Sequence, residues 1–186
     1  MVPNNNSSNN NSIDNIILKL VTIDDILELQ KIGRQTFYET FSAGNTEENM
    51  KKYLEEGFEI QKLIAEIHNT DSPIYFSIFD GRVIGYLKVN FGESQTELQD
   101  SKALEIERIY VIQEFQGRGV GQILYNKAIE IAKEKDVEYV WLGVWEFNPK
   151  ALSFYKKNGF VEFSKHIFQL GDDKQTDIMM KIKLNK

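Results

Sequence analysis

The chain has 186 residues, of which 22 are basic and 28 acidic, so its formal net charge is −6 at pH 7. This charge disfavours a nucleic-acid partner, which would require a basic surface, but it permits a cationic substrate. Cysteine is absent, which excludes disulfides, thiol nucleophiles and cysteine-ligated metals. His68 and His166 are the only histidines, and nothing in the sequence pairs them, so we expect no metal site.

The first twelve residues, MVPNNNSSNNNS, form a polar segment of low complexity that cannot bury apolar surface. We therefore divide the chain into a disordered tail, 1–12, and a folded domain, 13–186. The tail lacks the apolar stretch of a secretory signal, and no apolar run approaches the ~18 residues of a membrane span. These features predict a soluble, cytoplasmic protein without a membrane partner.

The N-terminal part of the domain is predicted to be mainly helical. Thr22 begins a first helix, because the pattern T-x-x-D precedes apolar residues at helical spacing, and this helix runs to about Phe41. A second helical stretch begins at Thr46, is interrupted by Gly57 and continues to His68.

Seven strands and two further helices complete the predicted domain. Asp80-Gly81 is typical of a two-residue hairpin turn, and the apolar run 139–145 is typical of a central strand buried on both faces. The two helices span 119–135 and 148–158, and Gly159 ends the second one. No internal repeat or linker divides this succession of helices and strands, so the sequence predicts one α/β domain. The predicted strands are 16–22, 74–79, 82–91, 103–112, 139–145, 160–170 and 176–184.

The glycine-rich loop 116–121, with the sequence QGRGVG, lies between a predicted strand and a predicted helix. Glycines allow close approach of the backbone to a ligand, and the helix N-terminus adds free N–H groups, so the loop suits a pyrophosphate. The dinucleotide fingerprint G-x-G-x-x-G fails, because position 122 is Gln. Two interpretations stay open: a phosphate cradle, or glycines that only make a tight turn.

Two motifs carry a resemblance to a known family. Gln116, Gly119 and Gly121 match the Q/R-x-x-G-x-G/A signature that cradles the pyrophosphate of coenzyme A in the GNAT N-acetyltransferases. The segment 148–160, NPKALSFYKKNGF, is similar to that family's N-x-x-A-x-x-F/Y-Y-x-x-x-G-F element. The chain from about Ile16 to Leu184 therefore resembles a GNAT enzyme. More narrowly, it resembles the bacterial Pai-type spermidine/spermine acetyltransferases at 36–41, 47–50, 105–111, 141–146 and 168–172.

The resemblance implies a mixed, mostly antiparallel sheet of about seven strands flanked by helices. It also implies direct transfer of acetyl from acetyl-CoA to a primary amine, with Tyr155 as the general acid for the leaving thiolate. Ordinary core packing of Tyr155 and helix capping by Asn148 are the alternatives to these roles, and Lys157 could equally be solvated. The residues implied to bind the co-substrate are Ile109, Tyr110, Val111, Gln116, Gly117, Arg118, Gly119, Val120, Gly121, Gln122, Asn148 and Lys157.

Glu105 and Glu107 are two positions apart on a predicted strand. A regular strand would place them on one face together with Ile109 and Val111, and their proximity could raise one carboxyl pKa. Glu107 is the candidate general base or substrate anchor, with Glu105 behind it. The alternative is that both are solvated surface glutamates.

Acidic residues crowd the second helical stretch and the segment 93–107, with Phe37, Tyr38 and Phe41 nearby in sequence. Spaced anions and an apolar wall suit a polyamine, although charge runs usually form solvated helix faces. We expect acetylation of spermidine or spermine, or else of a protein N-terminus or lysine. A CoA-binding regulator without turnover is the alternative from another class. A homodimer is also expected as a possible assembly.

Overall fold

The structure is a computed structural model that describes residues 15–170 and 173–184. The predicted tail, 1–12, lies outside the described residues, as do residues 171 and 172 of the 168–172 segment. The strands are β1 (Ile17–Leu20), β2 (Ile74–Phe79), β3 (Arg82–Phe91), β4 (Ala103–Val111), β5 (Tyr139–Trp145), β6 (Val161–Leu170) and β7 (Asp173–Lys183). The helices are α1 (Ile26–Phe41), α2 (Glu47–Gly57), α3 (Ile60–His68), α4 (Val120–Glu134) and α5 (Pro149–Lys157).

The helix starts follow the capping signals of the sequence. The Asp25 carboxylate accepts hydrogen bonds from the amide and hydroxyl of Thr22 at 3.0 and 3.1 Å, and a 3-10 turn leads into α1. The Thr46 hydroxyl accepts from the amide of Asn49 at 3.2 Å and caps α2. Because side chains within three residues make these bonds, the starts could be predicted locally.

The seven strands form one sheet in the order β1-β2-β3-β4-β5-β7-β6. All neighbouring pairs are antiparallel except β4 and β5, which are parallel. The predicted mixed, mostly antiparallel sheet is thereby confirmed. β7 begins at Asp173, three residues earlier than predicted, because its ladder with β6 continues to the pair Leu170 and Asp173.

The two parallel strands diverge soon after they meet. β4 pairs with β5 only through Ala103–Glu105, opposite Tyr139–Trp141. Beyond that point β4 continues to pair with β3, and β5 continues to pair with β7. The edges of β4 and β5 that face each other therefore open into a wedge.

A β-bulge interrupts β4 at Glu107. The register with β3 runs from Val89 opposite Ile106 to Lys88 opposite Arg108, so Glu107 is the extra residue. A bulge reverses the alternation of faces beyond it. The prediction that 105, 107, 109 and 111 share one face is therefore wrong: Ile109 packs in the same cluster as Ile106.

Helices cover both faces of the sheet, and each face has its own apolar cluster. The first cluster packs α4 and α5 against the sheet through residues such as Leu124, Ala128 and Tyr155. The second packs α1, α2 and α3 on the other face through Phe37, Met50 and Leu63. The wedge between β4 and β5 lies between these two layers and opens toward α1, α2 and α5.

Candidate active site

The wedge holds a pocket of about 320 Å³. Its walls come from β4, β5 and β7, from the N-terminal end of α5, and from α1 and α2. Many of the predicted site residues meet there although they come from distant parts of the chain. The predicted residues that line it are Phe37, Phe41, Glu105, Glu107, Ile109, Tyr110, Asn148 and Tyr155.

The glycine-rich loop lies at the start of α4, outside this pocket. Gly117 and Gly119 have φ angles of 74° and 88°, the left-handed region that glycine tolerates. The side chain of Gln116 donates a hydrogen bond to the Val111 carbonyl at 3.1 Å, which ties the loop to the end of β4. The loop is therefore fixed against the strand by a residue of the motif itself.

The first turn of α4 presents backbone donors. The Gln122 amide bonds to the Gly119 carbonyl at 3.0 Å, whereas helix geometry leaves the preceding amides of Val120 and Gly121 without an intrahelical acceptor. A Cβ added at Gly121 would meet no atom within 4 Å. Packing therefore does not require glycine at this position, which favours the cradle over a merely tight turn.

Three other predicted co-substrate residues lie in the loop, directly after it and at the end of α5. Arg118 lies over the Phe115 ring, with 5.0 Å between its guanidinium carbon and the ring centroid. The Gln122 side chain donates to the Asn158 side chain at 3.0 Å, which links α4 to the end of α5. Lys157 is exposed in the last turn of α5.

Tyr155 and Asn148 satisfy both of the interpretations made of them. Tyr155 is 6% exposed and packs against Phe160, as a core tyrosine does, yet it also lines the pocket. Burial raises its pKa well above the ordinary range, so the phenol stays protonated at neutral pH. The Asn148 side chain accepts from the Ala151 amide at 3.1 Å, which caps α5 while the residue faces the pocket.

Glu107 is held by cations and an amide. Its carboxylate lies 2.7 Å from Lys88 Nζ and 3.0 Å from Arg108 Nη2, and it accepts from Asn90 Nδ2 at 2.7 Å. Burial alone would raise its pKa, but the charges of Arg108 and Lys88 outweigh burial and lower the pKa to about 2. Glu66 of α3 completes the cluster, with two bonds to Arg108 at 2.9 and 3.0 Å.

Glu105 is 3% exposed, and its carboxylate accepts hydrogen bonds from two neighbouring residues. It accepts from Asn90 Nδ2 at 2.9 Å and from the amide and hydroxyl of Thr96. Burial raises its pKa, against these hydrogen bonds, and the charge of Glu107 adds a smaller effect in the same direction. Asn90 thus bonds both glutamates, and neither is the solvated surface residue of the alternative interpretation.

Tyr38 and the acidic residues of the second helical stretch were predicted to face the substrate, and the structure places them outside the pocket. Tyr38 is 53% exposed and does not line the pocket, because one step along a helix turns a side chain ~100° away from its neighbour Phe37. The acidic residues of the second helical stretch lie on the exposed face of α2 and at the start of α3. They are Glu47, Glu48, Glu55, Glu56 and Glu59.

Several pocket residues lie at positions to which no motif of the sequence points. Tyr53 and Phe58 of the second helical stretch join Phe37 and Phe41 in an aromatic wall, and Trp145 closes it from β5. Asp177 and His166 reach the pocket from the last two strands. Glu97, which belongs to the acidic segment 93–107, reaches it from the loop before β4. Only one signal could have pointed to the charged cluster: Lys88 interrupts an apolar strand, where a lysine needs a partner.

Comparison with known proteins identifies the family to which a chain with this fold and pocket belongs. Residues 34–160 match the model of the acetyltransferase (GNAT) family. The chain belongs to this family. It is 43% identical over 166 residues to an uncharacterized N-acetyltransferase of Lactobacillus delbrueckii subsp. lactis, which covers 88% of this chain and 96% of the relative.

More distant similarities connect this GNAT chain to proteins of Thermoplasma acidophilum. It is 26% identical over 149 residues to a spermidine N(1)-acetyltransferase of that organism, which covers 78% of this chain and 88% of the relative. The crystal structure of PaiA N-acetyltransferase from the same organism, in complex with coenzyme A, has a TM-score of 0.76. At 24% identity, over 91% of this chain and 99% of the other, it shows a common fold.

The protein is therefore an N-acetyltransferase that uses acetyl-CoA. The residues present fit this co-substrate, because the loop offers backbone donors at Gly119–Gly121 and the β5-facing edge of β4 is unpaired beyond Glu105. In the described ranges, no group of three His, Asp or Glu residues could hold a metal ion. No helix among the described residues is long and apolar enough to cross a bilayer.

Proposed function

We propose that the enzyme acetylates a polyamine, spermidine or spermine, at a primary amine. The observation that carries this proposal is the composition of the pocket. Four carboxylates line it, and the cation Arg108 is already paired with Glu66 and Glu107. Such a pocket suits a ligand with several ammonium groups. The four acids are Glu97, Glu105, Glu107 and Asp177.

The aromatic wall of the pocket suits a substrate in which flexible methylene chains separate the ammonium groups. Phe37 stacks on Tyr53 with ring centroids 4.1 Å apart, and Phe41 lies 4.5 Å from Phe37 and 5.6 Å from Trp145. Aromatic faces contact methylenes by dispersion and attract cations through their ring quadrupoles. A polyamine presents both groups in alternation, whereas a monoamine uses only part of the wall.

Acetyl-CoA supplies the activated acetyl group. In this proposal the amides of the glycine-rich loop bind its diphosphate, with Arg118 and Lys157 near by. The unpaired edge of β4 at Ile109–Val111, together with Asn148, receives its amide-bearing arm. These assignments rest on the geometry of the loop and the wedge and on the family motifs that the residues match.

Tyr155 acts as the general acid in this proposal. Its phenol is held protonated by burial and makes no hydrogen bond to another described residue, so it is available to a group in the pocket. A phenol can donate to a developing thiolate when it is held close to the sulfur.

Glu107 fits the role of anchor better than that of base. A carboxylate with a pKa of about 2 is a weak acceptor for the proton of an ammonium whose pKa is ~10.4. Its ion pairs with Lys88 and Arg108 also use much of its charge. We therefore place Glu107 on the substrate side as an anchor whose carboxylate is held in position by Lys88, Arg108 and Asn90, and Glu105 is linked to it through Asn90.

The similarity to the spermidine N(1)-acetyltransferase of Thermoplasma acidophilum supports the polyamine, although it is distant. Protein N-termini and lysines are the rival acceptors and become an outcome of the assay. A cytoplasmic location and a homodimer stay predictions from the sequence.

The test is an acceptor panel. The purified full chain is incubated with acetyl-CoA and spermidine, spermine, putrescine, butylamine or peptides, and thiol release is followed. We expect kcat/KM for spermidine or spermine to exceed that for butylamine by at least about tenfold, since each further paired charge adds ~1.4 kcal/mol or more. Turnover of peptides alone, or equal turnover of butylamine and spermidine, would refute the polyamine assignment. Glu130→Gln, an exposed change on α4, serves as the matched control.

A further inference from the structure

Asp177 is the pocket carboxylate that its surroundings leave available. It lies on β7, opposite Trp145 of β5 and His166 of β6. Its side chain lines the pocket beside Gly143, where an added Cβ would lie 3.4 Å from Asp177 Oδ2. The absence of a side chain at Gly143 therefore keeps the approach to this carboxylate open from β5.

The other three pocket acids already have partners. Glu107 is bound by Lys88, Arg108 and Asn90, and Glu105 by Asn90 and Thr96. Glu97 lies 3.2 Å from Nδ1 of His166. In contrast, Asp177 accepts no hydrogen bond and makes no ion pair within the part of the chain that the structure describes.

The titratable groups around Asp177 come from several elements. His166 approaches from β6 and Tyr53 from α2, while the loop before β4, β4 itself and α5 supply the remaining groups across the pocket. Burial raises the pKa of Asp177 to about 6, against the opposing effect of His166. At pH 7 the group is mainly ionised, yet it is a much stronger proton acceptor than Glu107. The groups across the pocket are Glu97, Glu105, Glu107, Arg108 and Tyr155.

We propose that Asp177 is the general base that takes the proton from the attacking ammonium. The Asp177 carboxylate accepts one N–H proton, which frees the nitrogen lone pair. The nitrogen then forms the C–N bond to the acetyl carbon while the C–S bond breaks, and the sulfur leaves with the bonding electrons. The sulfur gains a proton from Tyr155, which recovers one from the acetylated nitrogen, and Asp177 returns its proton to solvent.

This inference rests on the proposed transfer to an amine, and the choice of amine does not affect it. Removing the ammonium proton at pH 7 costs ~4–5 kcal/mol in water, because its pKa is ~10.4. With a base at Asp177 the enzyme can bind the abundant ammonium form. Without one it depends on the scarce free amine, whose fraction rises tenfold with each pH unit.

The pH profile of kcat/KM tests the assignment. With the amine that turns over best in the panel, wild type should rise through a pKa near 6 and then level off. Asp177→Asn should lose about 100-fold near pH 7, and its kcat/KM should keep rising toward pH 9.5 as free amine accumulates. Asp177→Glu should keep part of the activity and a low-pH limb. All three should bind CoA equally and show the same circular dichroism.

Two controls separate a base from a residue with another role. Asp24→Asn, an exposed change outside the pocket, should leave the profile unchanged. Glu107→Gln should retain the limb near pH 6, because that limb belongs to Asp177. A loss in Asp177→Asn that is equal at every pH, or smaller than threefold, would overturn the proposal.

A direct titration distinguishes failure of this inference from failure of the proposed function. Absence of thiol release with every amine in the panel would refute the proposed function. The Asp177 carboxyl is then followed by ¹³C NMR in the full chain, with Asp177→Asn to assign the signal. Titration near the ordinary pKa of ~3.9 would overturn the role of Asp177 even then. Titration near pH 6 that moves when spermidine is added would support it.

Discussion

The ammonium of Lys88 lies 2.7 Å from the carboxylate of Glu107, and Lys88 is only 5% exposed. A buried lysine depends on its partners, because an unpaired buried charge is strongly unfavourable. The same carboxylate also neutralises Arg108, which is bonded to Glu66 of α3. A network of two anions and two cations thus joins β3, β4 and α3, and Glu107 and Arg108 extend it to the wall of the pocket.

The first prediction concerns the stability of this network. Glu107→Gln leaves Lys88 and Arg108 with Glu66 as their one remaining anion, so the free energy of unfolding should fall by about 3 kcal/mol at pH 7. Urea denaturation followed by circular dichroism measures the change. Glu130→Gln breaks an exposed pair with Lys127 and should cost less than about 1 kcal/mol. An equal effect of the two changes would contradict the network.

The second prediction concerns how the difference in unfolding free energy between wild type and Glu107→Gln depends on pH. The folded pKa of Glu107, about 2, is below its ordinary value of 4.5. The stabilisation from its charge is therefore complete above pH 4.5 and is lost as pH falls toward 2. We expect the gap in unfolding free energy between wild type and Glu107→Gln to be constant from pH 5 to 8 and to shrink below 4.5. Urea titrations at pH 7, 5, 4 and 3 would show this, and a gap that grows in acid would be inconsistent with it.

The third prediction separates a phosphate cradle from a tight turn. Gly121→Ala adds a methyl group where no atom lies within 4 Å, and alanine favours a helix over glycine by up to ~1 kcal/mol. Stability should therefore stay equal or rise, whereas the Kd for CoA should increase about tenfold if the diphosphate approaches this backbone, a loss of ~1.4 kcal/mol. Calorimetric titration with CoA measures the second quantity.

A second glycine-to-alanine change serves as a control, because it should lower stability without affecting the Kd for CoA. Gly92 has a φ of 50°, and an added Cβ would meet no atom within 4 Å. It follows β3 at the end that pairs with Leu104, whereas the loop follows the other end of β4. Gly92→Ala should lower stability by about 1 kcal/mol because of backbone strain and leave the Kd for CoA unchanged. If Gly121→Ala bound CoA as wild type does, the tight-turn interpretation would be the better one.

The fourth prediction concerns Tyr155. Tyr155→Phe keeps the ring that packs on Phe160 and removes the hydroxyl that faces the pocket. We expect kcat to fall about 100-fold with little change in stability or in the Kd for CoA. Steady-state kinetics and calorimetry measure these quantities. Unchanged kcat would reduce Tyr155 to a core residue.

The parts of the structure that the sequence could predict are those fixed by neighbouring residues. The Asp80-Gly81 turn, the Thr22 and Thr46 helix starts and the glycine-rich loop all depend on contacts within a few positions. The bulge at Glu107 was not predictable, because it appears only in the register between β4 and β3.

The place of Asp177 in the pocket was not predictable from the sequence for a similar reason. Its strand is inserted between β5 and β6, so the last strand in sequence lies inside the sheet, next to the edge strand β6. Only this insertion brings Asp177 beside Gly143 and into a pocket with residues of α1. In sequence it is simply a polar residue in a hairpin. The location of Asp177 in the pocket depends on the order of the strands in the sheet, which local sequence periodicity does not predict.

The short pairing of β4 with β5 also bears on how the molecule moves. Three residue pairs, at Ala103–Glu105, join a half-sheet of β1–β4 to a half-sheet of β5–β7. We expect a small rotation about this junction to change the width of the pocket while the outer ladders stay paired. A molecule lying along both inner edges would restrain that rotation. Amide exchange along those edges should therefore slow on binding CoA, while the outer ladders change little.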